Sequence, residues 1–142
     1  METTNAKTKI TVQTTVNSPV SKVWESFNAP EHIMKWNQAS EDWHCPASEN
    51  DLRTGGRFKQ TMAAKDGSFS FDFEGEYTNV IENRLIEYVL GDGRTVQVRF
   101  EDLGNKTQVI EVFDAETSNS MELQQTGWQA ILDNFKGYTE AA

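Results

Sequence analysis

Several things are scarce in this chain, and each scarcity narrows what it can do. A single cysteine, Cys45, excludes an internal disulfide. No apolar run approaches the ~20 residues that a membrane-spanning helix needs. The opening METTNAKTK lacks the apolar stretch of a secretory signal, so the expected location is the cytoplasm. Basic residues number 13 against 22 acidic ones, for a net charge of −9, and no cluster of Lys or Arg relieves it. Nucleic acid and anionic membrane surfaces would both be repelled, so neither is expected as a partner. His32, His44 and Cys45 match no familiar ligand spacing, so no metal and no other cofactor is expected.

What remains is a chain of 142 residues, 37% hydrophobic and 11% aromatic, enough for one real core. Residues 1–6 read as a flexible polar leader and 7–142 as a single domain, expected to be a monomer or weak dimer. Ser118 to Tyr138 carries Met121, Trp128, Ile131, Leu132, Phe135 and Tyr138 near helical spacing, which predicts one long amphipathic helix. Gly127 inside it costs ~1 kcal/mol relative to alanine, and such a glycine often admits a close approach.

Before that helix the chain reads in order as follows. Lys7 to Val16 alternates as a half-buried strand, and Ser18-Pro19 then opens a short helix bearing Val20, Val23, Trp24 and Phe27. A second short helix runs from Glu31 to Trp36, and Asn37 to Asp51 reads as a long ordered loop. Five strands joined by tight turns follow, among them one in which Phe69, Phe71, Phe73, Gly75 and Tyr77 share a face that should be buried. Tight turns between successive strands imply an antiparallel sheet, and its apolar face calls for a helix packed upon it. The expectation is an α+β, helix-grip architecture: a curved six-stranded antiparallel sheet around the C-terminal helix, with two short helices after the first strand.

The opening strand with SPVSKVW (18–24), then Pro30-Glu31-His32 with Trp36, then DLRTGGRF (51–58) and Gly127-Trp128 occur together in this order. The combination resembles the START-like superfamily, also called SRPBCC or birch-pollen-allergen-like. Within it the chain is similar to the branch named after the activator of the heat-shock ATPase chaperone, whose bacterial members are also described as polyketide-cyclase-like. The resemblance covers residues 8 to 138. It implies the helix-grip fold, an apolar small molecule as partner, and a chaperone contact as a further partner. Superfamily members include carriers, receptors, cyclases and co-chaperones, so the chemistry must be argued from the site.

The expected ligand pocket lies between the final helix and the sheet, lined by Trp36, Trp43, His44, Met62, Phe71, Phe73, Val98, Trp128 and Leu132. His44, with Glu41, Asp42, Glu49 and Asp51 near it in sequence, is the candidate for acid-base work in a cyclase-like enzyme; no other catalytic residue is expected. Cys45 reads as an inert buried thiol. Gly55-Gly56 lacks the continuation of a phosphate-binding loop and reads as a turn into a strand. Glu111, among Val109, Ile110, Val112 and Phe113, is expected to be partly buried, with Arg99 or Arg57 as structural partners.

Overall fold

The structure, a computed structural model, describes residues 8–141; the leader expected at residues 1–6 lies outside them. The alternation in KITVQTTV produces strand β1 (Lys9–Val16), with Ile10, Val12 and Val16 turned into the core. Pro19, extended at φ −64° and ψ 154°, precedes helix α1 (Val20–Asn28) as its N-cap. Ala29 is extended because a residue before proline is pushed out of the helical region. The chain therefore breaks there and restarts as helix α2 (Pro30–Trp36) with Pro30 at its first turn. Trp24 and Phe27 of α1 pack on Phe100 with ring centroids 5.0 and 5.4 Å apart, which pins the helix pair to one end of the sheet.

The expected loop at 37–51 contains a strand instead. Trp43–Asn50 forms β2, which pairs antiparallel with β3 (Arg57–Ala64). Its register shifts between His44 and Ala47, where Pro46 has no N–H to give to a ladder. Proline is tolerated because β2 lies at the sheet edge. The other strands are β4 (Ser70–Ile81), β5 (Leu85–Leu90), β6 (Thr95–Asp102) and β7 (Thr107–Asp114). They form one antiparallel sheet in the order β1-β7-β6-β5-β4-β3-β2, seven strands where six were expected. The chain meanders from β2 to β7, and β1 closes the other side against β7.

Helix α3 (Met121–Ala141) starts at the first residue of its apolar stripe, and Ser120 Oγ accepts the Leu123 N–H at 3.0 Å and acts as the cap. Gln124 is buried; its side chain accepts from the Glu116 N–H at 2.9 Å and donates to the Asn119 carbonyl at 2.9 Å, which clamps the incoming loop. Gln125 and Gln129 donate to the Thr11 and Gln13 carbonyls of edge strand β1 at 3.3 and 3.1 Å. Groups that would otherwise template pairing with another chain are covered by the helix. Leu132 and Phe135 anchor α3 at 1% and 0% exposure.

Two other expectations are corrected here. Phe69, which precedes β4, and Phe71 on it were expected on a buried face and are 59% and 46% exposed. Their ring neighbours are Trp43 and each other, and none belongs to α3, so this end of the sheet lies beyond the helix's cover. Gly127 admits no close neighbour: a Cβ built on it would meet nothing within 4 Å. The close approach is at Gly75, where a Cβ would come within 2.6 Å of the Val89 carbonyl oxygen and 3.1 Å of the Phe58 ring. The missing side chain lets Phe58 lie across β4, where its centroid is 5.8 Å from Phe73 and 4.8 Å from Tyr88.

Candidate functional site

Between the middle of α3, the curved sheet face and the helix pair lies a partly open cavity of about 210 Å³. Strand β3 contributes Phe58, Gln60 and Met62, and β4 contributes Phe71, Phe73 and Tyr77. Ile86 and Tyr88 come from β5, Glu111 from β7, and Trp128 and Ile131 from α3. Phe27, Ile33 and Trp36 close the end under α1 and α2. Trp128 is fixed flat on Phe113, with centroids 3.8 Å apart and planes 13° from parallel, and it meets Phe73 edge-on at 6.1 Å.

Polar groups at the α1/α2 end are already committed to one another. Tyr77 Oη donates to Asn50 Oδ1 at 2.6 Å, Asn50 Nδ2 donates to the Asn28 carbonyl at 2.8 Å, and Asn28 Nδ2 donates to the Trp24 carbonyl at 2.9 Å. Asn37 Nδ2 donates to Gln60 Oε1 at 2.6 Å, and Trp36 Nε1 to the Ser26 carbonyl at 2.8 Å. These bonds stitch the helices to β2, β3 and β4 and hold the wall in place. Burial raises the Tyr77 hydroxyl pKa despite its bond to Asn50, so the group stays a neutral donor.

Glu111 is different. It is 8% exposed and turned inward in the same alternation that buries Val109 and Phe113, and its neighbours in register are Val12 on β1 and Val98 on β6. Among the described residues no hydrogen bond or ion pair reaches its carboxyl group. Arg99 pairs with Glu101 and Arg57 with Glu76, so neither partner expected from sequence is there. Burial alone pushes the Glu111 carboxyl up to about 8. The Tyr88 hydroxyl is raised well above its ordinary value, first by burial and then by the Glu111 charge.

Of the residues expected to line a pocket, Trp36, Met62, Phe71, Phe73 and Trp128 come together around this cavity. Val98 and Leu132 lie in the solid core at 0% and 1% exposure and do not border it. Trp43 stands outside, edge-on to Phe69 and Phe71 at 6.1 Å each. His44 is half-buried, pairs across to Ala63, and is not part of the lining. Among the described residues no hydrogen bond or ion pair ties it to a carboxylate. Cys45 is buried, its Sγ donates to the Ala47 carbonyl at 3.3 Å, and burial raises its pKa, so it is no nucleophile. Phe58, Tyr77, Tyr88 and Glu111 were not among the expected lining residues. Their signal was strand alternation: Thr107, Val109, Glu111 and Phe113 are one face of β7. Among the described residues no three His, Cys, Asp or Glu side chains gather as a metal site, and no helix is long and apolar enough to cross a membrane.

The family described as "Activator of Hsp90 ATPase homolog 1-like protein" matches residues 17–140. Among solved structures, the AHSA1-like protein of Aeromonas hydrophila is similar at 48% identity and a TM-score of 0.88, over 94% of this chain and 93% of that one. A protein of Cytophaga hutchinsonii is similar at 58% identity and a TM-score of 0.82, over 94% and 92%. A protein of Chromobacterium violaceum, at 21% identity and a TM-score of 0.84 over 94% and 98%, shares the fold. No curated protein matches the chain.

Proposed function

The chain belongs to the Activator of Hsp90 ATPase homolog 1-like family, and from that premise we propose that it is a cytoplasmic binding protein for a small apolar or aromatic molecule, held between α3 and the sheet. The observation that carries this is the aromatic-walled cavity of about 210 Å³. Its wall is mostly aromatic and apolar, and the polar groups at its α1/α2 end are already bonded to one another, so an occupant meets chiefly apolar surface. A cavity of ~150 Å³ takes a benzene ring, so this one suits a substituted single ring or a compact bicycle. Trp128 and Trp36, both in the wall, report on occupancy.

A panel of compact aromatic and alicyclic molecules, neutral and charged, titrated against intrinsic fluorescence should give saturable changes that weaken in Trp128→Phe. A ligand present at ~100 times its Kd should also add ~2.7 kcal/mol to the stability. No response from a folded protein to any member would overturn the proposal. His44 gives the cyclase-like alternative no geometric support. The co-chaperone alternative is favoured by one feature, Phe69, which is 59% exposed and outside the cavity lining. If that reading holds, Phe69→Ser abolishes stimulation of a heat-shock ATPase while ligand binding persists; absence of stimulation by the unaltered protein dismisses it.

A further inference from the structure

Ligand binding in this cavity leaves open which head group the site prefers, and Glu111 bears on that choice. Glu111 is only 8% exposed, it borders the cavity, and among the described residues no ion pair reaches it. The titratable group that feels its charge is the Tyr88 hydroxyl from β5, which Arg94, outside the lining, also influences. The Tyr77 hydroxyl from β4 is in the same lining and is bonded to Asn50. α1, α2, α3, β2 and β3 contribute only apolar or amide side chains to the lining, and β1 and β6 flank Glu111 with Val12 and Val98. No Lys, Arg or His lines the cavity. The lining that Glu111 shares also carries the rings of Trp36, Phe58, Phe73, Tyr77, Tyr88 and Trp128.

We propose that the cavity selects a compact aromatic amine, bound as its ammonium ion between the Glu111 carboxylate and the π faces of the surrounding rings. The inference rests on the ligand-binding function proposed above and adds the head group. A carboxylate ligand, such as a fatty acid, would bring its own negative charge into a lining that holds no Lys, Arg or His to balance it. A neutral ligand leaves Glu111 protonated and draws on no charge at all. An ammonium ion supplies the absent partner, and aromatic faces attract cations most strongly where water is excluded. The net charge of −9 draws cations toward the protein as well. With the cavity empty, burial holds Glu111 largely protonated at neutral pH. Entry of an ammonium ion therefore ionises Glu111, and the proton it loses passes to the buffer.

Three probes of matched size test this: 2-phenylethylamine, 2-phenylethanol and phenylacetate, each followed by calorimetry at pH 7. The amine should bind at least about 10-fold more tightly than the alcohol, a gap of about 1.4 kcal/mol, and phenylacetate most weakly. The amine's heat should vary with the buffer's ionisation enthalpy, reporting release of up to one proton; the alcohol's should not. Glu111→Gln, confirmed folded by its melting curve, should bring the amine down to the level of the alcohol and abolish proton release. Amine and alcohol binding equally, or a preference that survives Glu111→Gln, would overturn the inference and leave the cavity's role standing. Failure of all three to bind would overturn both.

Discussion

Glu111 and Asp114 stand on the same strand, both buried at 8% and 3% exposure, yet their carboxyl groups titrate in opposite directions. At the end of β7, burial by itself would raise Asp114, but Lys9 at 2.6 Å and the Thr95 N–H and hydroxyl at 2.8 and 2.9 Å outweigh it and hold the group below its ordinary value. At the cavity, Glu111 meets burial with nothing to offset it. The backbone context is shared, so partners decide the outcome. A structural carboxylate is one whose partners the chain supplies; a carboxyl left without them against an open cavity is a place for something else to supply them.

The sharpest test of that contrast is stability against pH. For Glu111 the folded-state pKa is raised from 4.5 to about 8. Between those values the unfolded chain is ionised while the native protein keeps its proton, so the native state binds more protons and loses stability as pH rises. Whatever protonated Glu111 contributes is fully present below 4.5 and gone above about 8. The cost on the alkaline side is on the order of 5 kcal/mol. Urea unfolding at pH 5 and pH 9 should show Glu111→Gln gaining on the unaltered protein by that order at the higher pH, with little difference at the lower. Parallel behaviour of the two proteins would mean that water or an unseen partner already satisfies the carboxyl.

Asp114 should behave in the reverse sense. Its lowered folded pKa contributes stability that is present above the unfolded value of 3.8 and lost as pH falls through the folded value. Asp114→Asn removes the ion pair to Lys9 and weakens the bonds from Thr95. A loss of about 2 kcal/mol is expected at pH 7, since charge-assisted hydrogen bonds contribute ~1.5–3 kcal/mol. The variant and the unaltered protein should converge in acid below pH 3.8, where the native carboxyl is itself being neutralised. A deficit that persists unchanged in acid would assign the effect to packing.

The helix-grip architecture was legible because most elements obey one period cleanly: β1, β4 and β6 alternate, α1 and α3 carry helical stripes, and Gly67, Gly93 and Gly104 stand in turns at positive φ. β2 was not, because WHCPASEN mixes a proline, a bulge and an edge position, and edge strands need not alternate. The site was half legible. Apolar residues at strand spacing can be assigned to a face, so Met62, Phe71 and Phe73 fell around the cavity. Whether a residue on that face meets a solid core, as Val98 does, or open space depends on how α3 and the helix pair pack over the curved sheet, which no local pattern encodes. His44 drew attention by its chemistry, and Glu111, hidden among apolar neighbours, was assigned a structural ion pair. An acid on the buried face of an otherwise apolar strand was the stronger sign.

Gly127 supplies the third kind of empty space, one with no chemistry attached. It lies in the interior of α3 beside Trp128, and beyond its chain neighbours and the helix's own backbone nothing comes within 4 Å of where its Cβ would be. Glycine there costs the helix ~1 kcal/mol relative to alanine through backbone entropy. Since a methyl group would touch nothing, Gly127→Ala should recover most of that amount in chemical unfolding. Because Gly127 does not border the cavity, ligand titrations monitored at Trp128 should be unchanged. If stability rises while binding weakens, the freedom of the helix at this position is used to seat Trp128 on Phe113, and the cavity wall depends on a flexible α3 as well as on an unpaired acid.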